Sequence, residues 1–219
     1  MPSESVTTPK EQDVKKFTSL GHDALRSGNL NGACEAFESA AKLANEFNEG
    51  FTQRACYFNL GASYVAKGDA KKGIEFLLKA LPPEKEADGS ANFADLHYNL
   101  GIAYDSVGEV ESAAKSFEIA SVEYKTQDNK EMLAETLMKL GSVHAFLNDL
   151  GRASDFFGNA CEVFDELGDK KNEVLALSSR VNLLADLKDI EKCGDVLRVL
   201  IDRSEELSDN FLKGKSDFC

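Results

Sequence analysis

Apolar residues recur along this chain at spacings of three, four and seven, which on an α-helix places them on one face. The pattern itself repeats. Leu20-Gly21, Leu60-Gly61, Leu100-Gly101 and Leu140-Gly141 stand 40 residues apart. Three positions before each leucine is a large side chain (Phe17, Tyr57, His97, Leu137), and three after each glycine is Ala24, Tyr64, Tyr104 or His144. A second series holds small residues at Ala33, Gly73, Ala113 and Ala153, bulky ones at Phe37, Leu77, Phe117 and Phe157, and alanines at Ala40, Ala80, Ala120 and Ala160. Each period therefore predicts two amphipathic helices joined as a hairpin.

The turn between them has its own chemistry. Gly28, Gly68, Gly108 and Asn148 fall where the first helix should stop, and these residues accept the left-handed backbone that ends a helix. Asn29, Asp69 and Asp149 follow at once as acceptors for the amides that open the second helix, with Glu109 a poorer one. Gly168-Asp169 and Asp128-Asn129 predict the same stop and cap between hairpins. At Pro82-Pro83 two amide donors are missing, so the second helix of the second hairpin should end early and Glu84 to Ser90 should form a long mobile loop.

Composition narrows the class. The 219 residues are 42% hydrophobic and 29% charged, with four prolines and no tryptophan, which suits a helical array with a core. Met1 to Lys10 is polar, contains Pro2 and Pro9, and is read as a disordered leader. No apolar run approaches the roughly 18 residues of a membrane span, and no signal-peptide pattern opens the chain, so a cytoplasmic protein is expected. Five cysteines without a C-x-x-C pair argue against a disulfide framework or a zinc site. Cys34, Cys56, Cys161 and Cys193 read as packing residues. A net charge of −13 disfavours nucleic acid and anionic lipid as partners, and is compatible with a basic peptide or with plain solubility.

The sequence Tyr57-x-x-Leu60-Gly61-x-x-Tyr64, with Ala113-x-x-x-Phe117-x-x-Ala120, resembles the tetratricopeptide repeat. HEAT and armadillo arrays share the period but not this glycine and aromatic register. The resemblance implies an all-α fold, a right-handed superhelical solenoid of hairpins, with repeats at about 14–48, 54–88, 94–128 and 134–168. A divergent fifth repeat over about 170–207 carries Arg180-Val181 in place of Leu-Gly. It is expected to cap the array with a polar outer face of Asp202, Arg203, Glu205 and Glu206. The solenoid should then span 11–207, with a polar tail over 208–219. The long period, with Asn129-Lys130-Glu131 and Leu167-Gly168-Asp169-Lys170, is similar to the Pins/LGN-type scaffolds, although their G-protein-binding motifs are missing.

No metal-ligand cluster, P-loop, G-x-S-x-G or His-Glu-x-x-His pattern is present, so the chain reads as a non-enzyme with no cofactor and no metal site. His97 and His144 occupy packing registers. In the family the first helix of each hairpin lines a concave groove, which the resemblance implies is where a peptide or helix of another protein binds. Registers beside the repeat glycine make Ser19, His22, Asn59, Asn99, Lys139 and Ser142 candidate groove residues, joined by Phe58, Asp95, Tyr98 and Glu135. Lys15, Arg26, Asp105 and Asp186 share this side of the helical wheel. Asn59 and Asn99 can grip a peptide backbone, or equally can make inter-helix hydrogen bonds. Chaperone-binding relatives hold a C-terminal carboxylate with basic residues at registers where this chain has Thr18, Asp95 and Asn99; only Asn59 matches. The expected function is thus a scaffold or adaptor, the alternative a self-assembly module joined through the fifth repeat. The tail Asp217-Phe218-Cys219 bears a weak likeness to a PDZ ligand.

Overall fold

The computed structural model describes residues 9–46, 50–83 and 93–216. They form α1 (Pro9–Arg26), α2 (Leu30–Ala44), α3 (Gly50–Lys67), α4 (Ala70–Ala80), α5 (Phe93–Ser106), α6 (Val110–Thr126), α7 (Lys130–Phe146), α8 (Leu150–Leu167), α9 (Lys170–Asp186) and α10 (Ile190–Ser216). Among the described residues there is no strand, and the fold is the expected all-α array of hairpins. The chain divides into two compact units, Met1–Glu109 and Val110–Cys219.

The punctuation forms as its chemistry dictates. Gly28, Gly68, Gly108 and Gly168 take positive φ, and so do Asn148 and Asp128, at 60° and 54°. Working caps follow at Asn29, Asp69, Asn129, Asp149 and Asp169: the Asn29 side chain accepts from the Gly32 amide at 3.0 Å, Asn129 from Met132 at 3.2 Å and Asp169 from Asn172 at 3.1 Å. Capping at such positions is worth about 1 kcal/mol each. Lys188, at φ 58°, makes the corresponding stop in the fifth hairpin without glycine or asparagine, and Asp189 caps α10 through the Lys192 amide.

In the first unit the hairpins α1–α2 and α3–α4 share a core of Phe37, Cys34, Ala40, Ala44, Leu60 and Tyr64. Leu77 and Ala80 of α4 pack with Leu96 and Leu100 of α5. The repeat glycines are where two helices meet most closely. A Cβ on Gly21 would lie 2.5–2.8 Å from the Phe37 ring, and one on Gly61 would meet the Leu77 backbone nitrogen at 2.9 Å. The leucine beside the glycine is buried in later hairpins, Leu60 to 1% and Leu100 to 2% exposure, because it lies against the preceding hairpin. Leu20 has no such neighbour among the described residues and is 48% exposed, so the sequence register overstated its burial.

In the second unit Phe157 rests on Gly141, with ring carbons 2.8–2.9 Å from where a Cβ would stand. Tyr124, Leu140, Phe164, Leu177 and Leu184 fill the core. The fifth hairpin departs from the pattern for a steric reason. Val181 replaces the notch glycine, and Leu197, in the register of Phe157, is left exposed. Gly158 instead makes room for the Arg180 guanidinium, which lies 3.0 Å from its virtual Cβ.

Several boundaries differ from those read in the sequence. Helix α1 starts at Pro9, inside the segment read as a disordered leader, because proline suits the first turn of a helix; residues 1–8 lie outside the described residues. Helix α4 ends at Ala80, where Leu81 turns extended (φ −59°, ψ 130°) ahead of Pro82. The Glu84 to Ser90 loop and the last three residues also lie outside the described residues. Helix α10 continues to Ser216, through most of the segment read as a tail.

Of the residues read as a polar cap, Asp202, Glu205 and Glu206 are exposed and Arg203 is the exception. Arg203 turns inward, its Nε donating at 2.8 Å to Glu173, a carboxylate only 3% exposed that Lys170 also holds at 3.1 Å. Ile190, Leu197, Val199 and Ile201 stay exposed, so the outer side of α10 is partly apolar.

Candidate functional site

Helices α1 and α3 are the first helices of their hairpins, and between them lies a groove of about 860 Å³. Its α1 wall is Val14, Lys15, Thr18, Ser19, His22, Leu25 and Arg26; its α3 wall is Phe51, Thr52, Ala55, Cys56 and Asn59. The α1 residues recur at intervals of three and four, so one helical face supplies them all. Ser19, His22 and Asn59, three of the expected groove residues, meet here.

The lining is an apolar floor with a polar and cationic rim. His22 stands exposed, its ring edge-on to Phe37 at 5.2 Å between centroids. Among the described residues Arg26 is held only by Asp23, one turn earlier and itself solvent-exposed. Lys15 makes no ion pair among the described residues. Among the described residues no carboxylate lines the groove. Phe51 is 74% exposed.

The two asparagines separate. Asn99 donates one of its two Nδ2 hydrogens to the Asp95 carbonyl at 2.8 Å, inside its own helix, which holds the side chain along α5. Asn59 is half-buried on the groove wall, and its amide has no hydrogen-bond partner among the described residues. Phe58, Asp95 and Tyr98 are half-buried outside this groove, Phe58 packing against the Leu77, Ala80, Leu96 and Leu100 cluster. In the second unit Glu135, Lys139 and Ser142 lie exposed along α7, and the Ser142 hydroxyl donates to the Met138 carbonyl at 3.0 Å. A smaller cavity of about 400 Å³ opens among α6, α7 and α8, with Val122, Leu133 and Val163 in its wall.

Phe51 and the apolar floor were missed in the sequence. The signal was present: at intervals of 40 residues from Phe51 stand Glu11, Ala91, Glu131 and Lys171, so a large aromatic there breaks the period. His97 and His144 are buried as packing residues. Burial holds His97 below the usual histidine range, while His144 lies between Glu118 at 3.8 Å and Asp149 at 3.7 Å. Cys34, Cys56 and Cys161 are buried and free, and burial pushes the Cys161 thiol up to about 11, away from a reactive thiolate. Among the described residues no group of three or more His, Cys, Asp or Glu is placed to hold a metal ion, and no helix is long and apolar enough to cross a membrane.

Residues 55–81 match the profile of the family described as Tetratricopeptide repeat. The structure superposes on that of MamA protein with a TM-score of 0.70, 17% identity, and coverage of 90% of this chain and 95% of that one. The fold is a tetratricopeptide-repeat fold. These tetratricopeptide hairpins are also similar to a Rap protein solved in complex with competence and sporulation factor, with a TM-score of 0.62, 14% identity, and coverage of 93% of this chain and 57% of that one. In sequence, 133 residues are 26% identical to response regulator aspartate phosphatase I of Bacillus subtilis (strain 168), covering 60% of this chain and 34% of that protein. The chain thus spans about a third of the length of this relative.

Proposed function

We propose that the chain is a non-catalytic protein-interaction adaptor that holds a segment of another protein in the α1/α3 groove. The observation that carries this is the groove itself: an apolar floor, a polar rim, and in its wall the Asn59 amide, whose donor and acceptor have no partner among the described residues. A half-buried amide of this kind is matched by a peptide backbone, which offers one carbonyl and one N–H per residue. The Rap protein that was solved with a bound factor supports the reading by analogy of fold only. The 40-residue period is similar to that of the Pins/LGN-type scaffolds, which fits an adaptor. Aspartate phosphatase activity stays with the Bacillus relative.

Affinity capture from cell lysate is compared for the wild type, Asn59→Ala and Asn99→Ala, each at matched circular dichroism. Because Asn99 is engaged within α5, its loss should leave the captured proteins unchanged, whereas Asn59→Ala should remove them. Clients that survive Asn59→Ala move the site away from this groove.

A second reading, self-assembly through the fifth repeat, is favoured by the apolar side chains left open on α10, Ile201 among them at 49% exposure. Sedimentation at tens of micromolar separates the two readings. Self-assembly requires a concentration-dependent mass that Ile201→Glu returns to monomer.

A further inference from the structure

We propose that the α1/α3 groove takes an acidic amphipathic segment, whose carboxylate side chains meet Lys15 and Arg26 and whose apolar side chain covers Phe51 and Leu25. This deepens the adaptor reading and rests on it. The net charge of −13 suggests a basic partner when the chain is taken as a whole. The groove has the opposite bias: Lys15 and Arg26 line it, and among the described residues no Asp or Glu does. A basic segment laid there would bring like charges together with no counter-charge in the lining, and such juxtaposition is what excludes wrong partners.

Both cations can respond to a ligand. Lys15 has no ion-pair partner among the described residues. The Arg26–Asp23 pair has side chains 76% and 58% exposed, and solvent-exposed pairs of this sort are weak enough to exchange for an incoming carboxylate. The two cations stand eleven residues apart on α1, about 16 Å along the helix axis. An extended segment spans that distance in about five residues. Acidic side chains about five residues apart, flanking a large apolar one, are therefore the complement in the extended case. Asn59 lies in the opposite wall for the backbone between them. Lys15 and Arg26 stand too far apart along α1 for one terminal carboxylate to meet both, so recognition is of separate side-chain carboxylates.

A random-peptide library displayed on phage with the peptides' C-termini fused to the coat is panned against the 219-residue protein. The same panning is run on Lys15→Glu/Arg26→Glu, on the milder Lys15→Gln/Arg26→Gln and on Asn59→Ala, all checked for helicity. The expected result is enrichment of net-negative peptides with at least one Leu, Ile, Phe or Trp. As a synthetic peptide, the best of these should lose about tenfold or more in affinity on charge reversal, with a smaller loss for the Gln pair. Enriched peptides that are neutral or basic, yet lost with Asn59→Ala, would keep the groove and overturn the acidic occupant. Acidic peptides that bind the charge-reversed protein equally well overturn it too. If no peptide is enriched, both this proposal and the groove reading fall.

Discussion

Replacing Gly141 with alanine should destabilise the protein, although alanine is the better helix former. Gly141 lies inside α7, where exchange for alanine would by itself stabilise the helix by about 1 kcal/mol. The new Cβ, however, would stand 2.8 Å from two carbons of the Phe157 ring and 2.9 Å from a third. That ring is buried in a cluster with Ala153 and Leu183 and cannot withdraw without moving them. Overpacking of this kind costs about 1–3 kcal/mol. Gly194, inside α10, is the control: nothing stands within 4 Å of its virtual Cβ, so the helix gain should appear undiminished. Gly141→Ala should therefore unfold in urea at lower denaturant than Gly194→Ala, with the two separated by about 1–3 kcal/mol. Gly61→Ala should be worse than Gly141→Ala, because the Leu77 backbone nitrogen at 2.9 Å and the Gly73 carbonyl at 3.1 Å cannot rotate away. Equal urea midpoints for Gly141→Ala and Gly194→Ala would refute the claim that the repeat glycine is fixed by helix approach.

Other consequences can be read out on the same apparatus. Arg203→Ala removes a charged hydrogen bond to the buried Glu173 while Lys170 remains, and should lower stability by about 1.5–3 kcal/mol in urea unfolding; a loss under about 0.5 kcal/mol would show that Lys170 alone suffices. His97, held neutral by burial, should make stability fall as pH drops below its unfolded value of about 6.5, because the unfolded chain takes up a proton that the folded site resists. Comparing unfolding midpoints at pH 7.5 and 5.5, His97→Leu should show a smaller drop than the wild type. Tyr64 gives the alkaline counterpart. Its hydrogen bond to Glu38 pushes the phenol well above its ordinary range, so that stabilisation is full below about pH 10 and is lost as pH rises past it, a fall that Tyr64→Phe should remove.

The fold was legible because each of its signals is local and repeated. Turn stops, caps and notch glycines act within a few residues of one another, and a 40-residue period repeats them in step, so Asn29, Gly61 and Phe157 could each be placed from sequence alone. The sequence failed where a register meets a different environment. Leu20 has the letter and position of Leu60, but burial depends on the helix that covers it, and among the described residues such a helix precedes Leu60 and not Leu20. Arg203 read as a surface charge because its partner Glu173 is thirty positions away, a distance no periodic pattern reports.

The candidate site shows the same limit more sharply. Asn59 and Asn99 are indistinguishable by register, yet one amide is spent on the Asp95 carbonyl and the other is not, a difference set by side-chain rotamer and by the neighbouring helix. Phe51 escaped notice for the opposite reason: periodicity directs attention to positions that repeat, while a binding site is built from positions that break the repeat without weakening the core. The lining of the α1/α3 groove fits this division. Val14 and Cys56 belong to the packed core, whereas Lys15, His22, Phe51 and Asn59 can change with little effect on packing. Specificity in this protein should therefore reside in the residues that the repeat leaves unconstrained, and Lys15→Glu/Arg26→Glu should alter what is bound while leaving urea stability within about 0.5 kcal/mol of wild type.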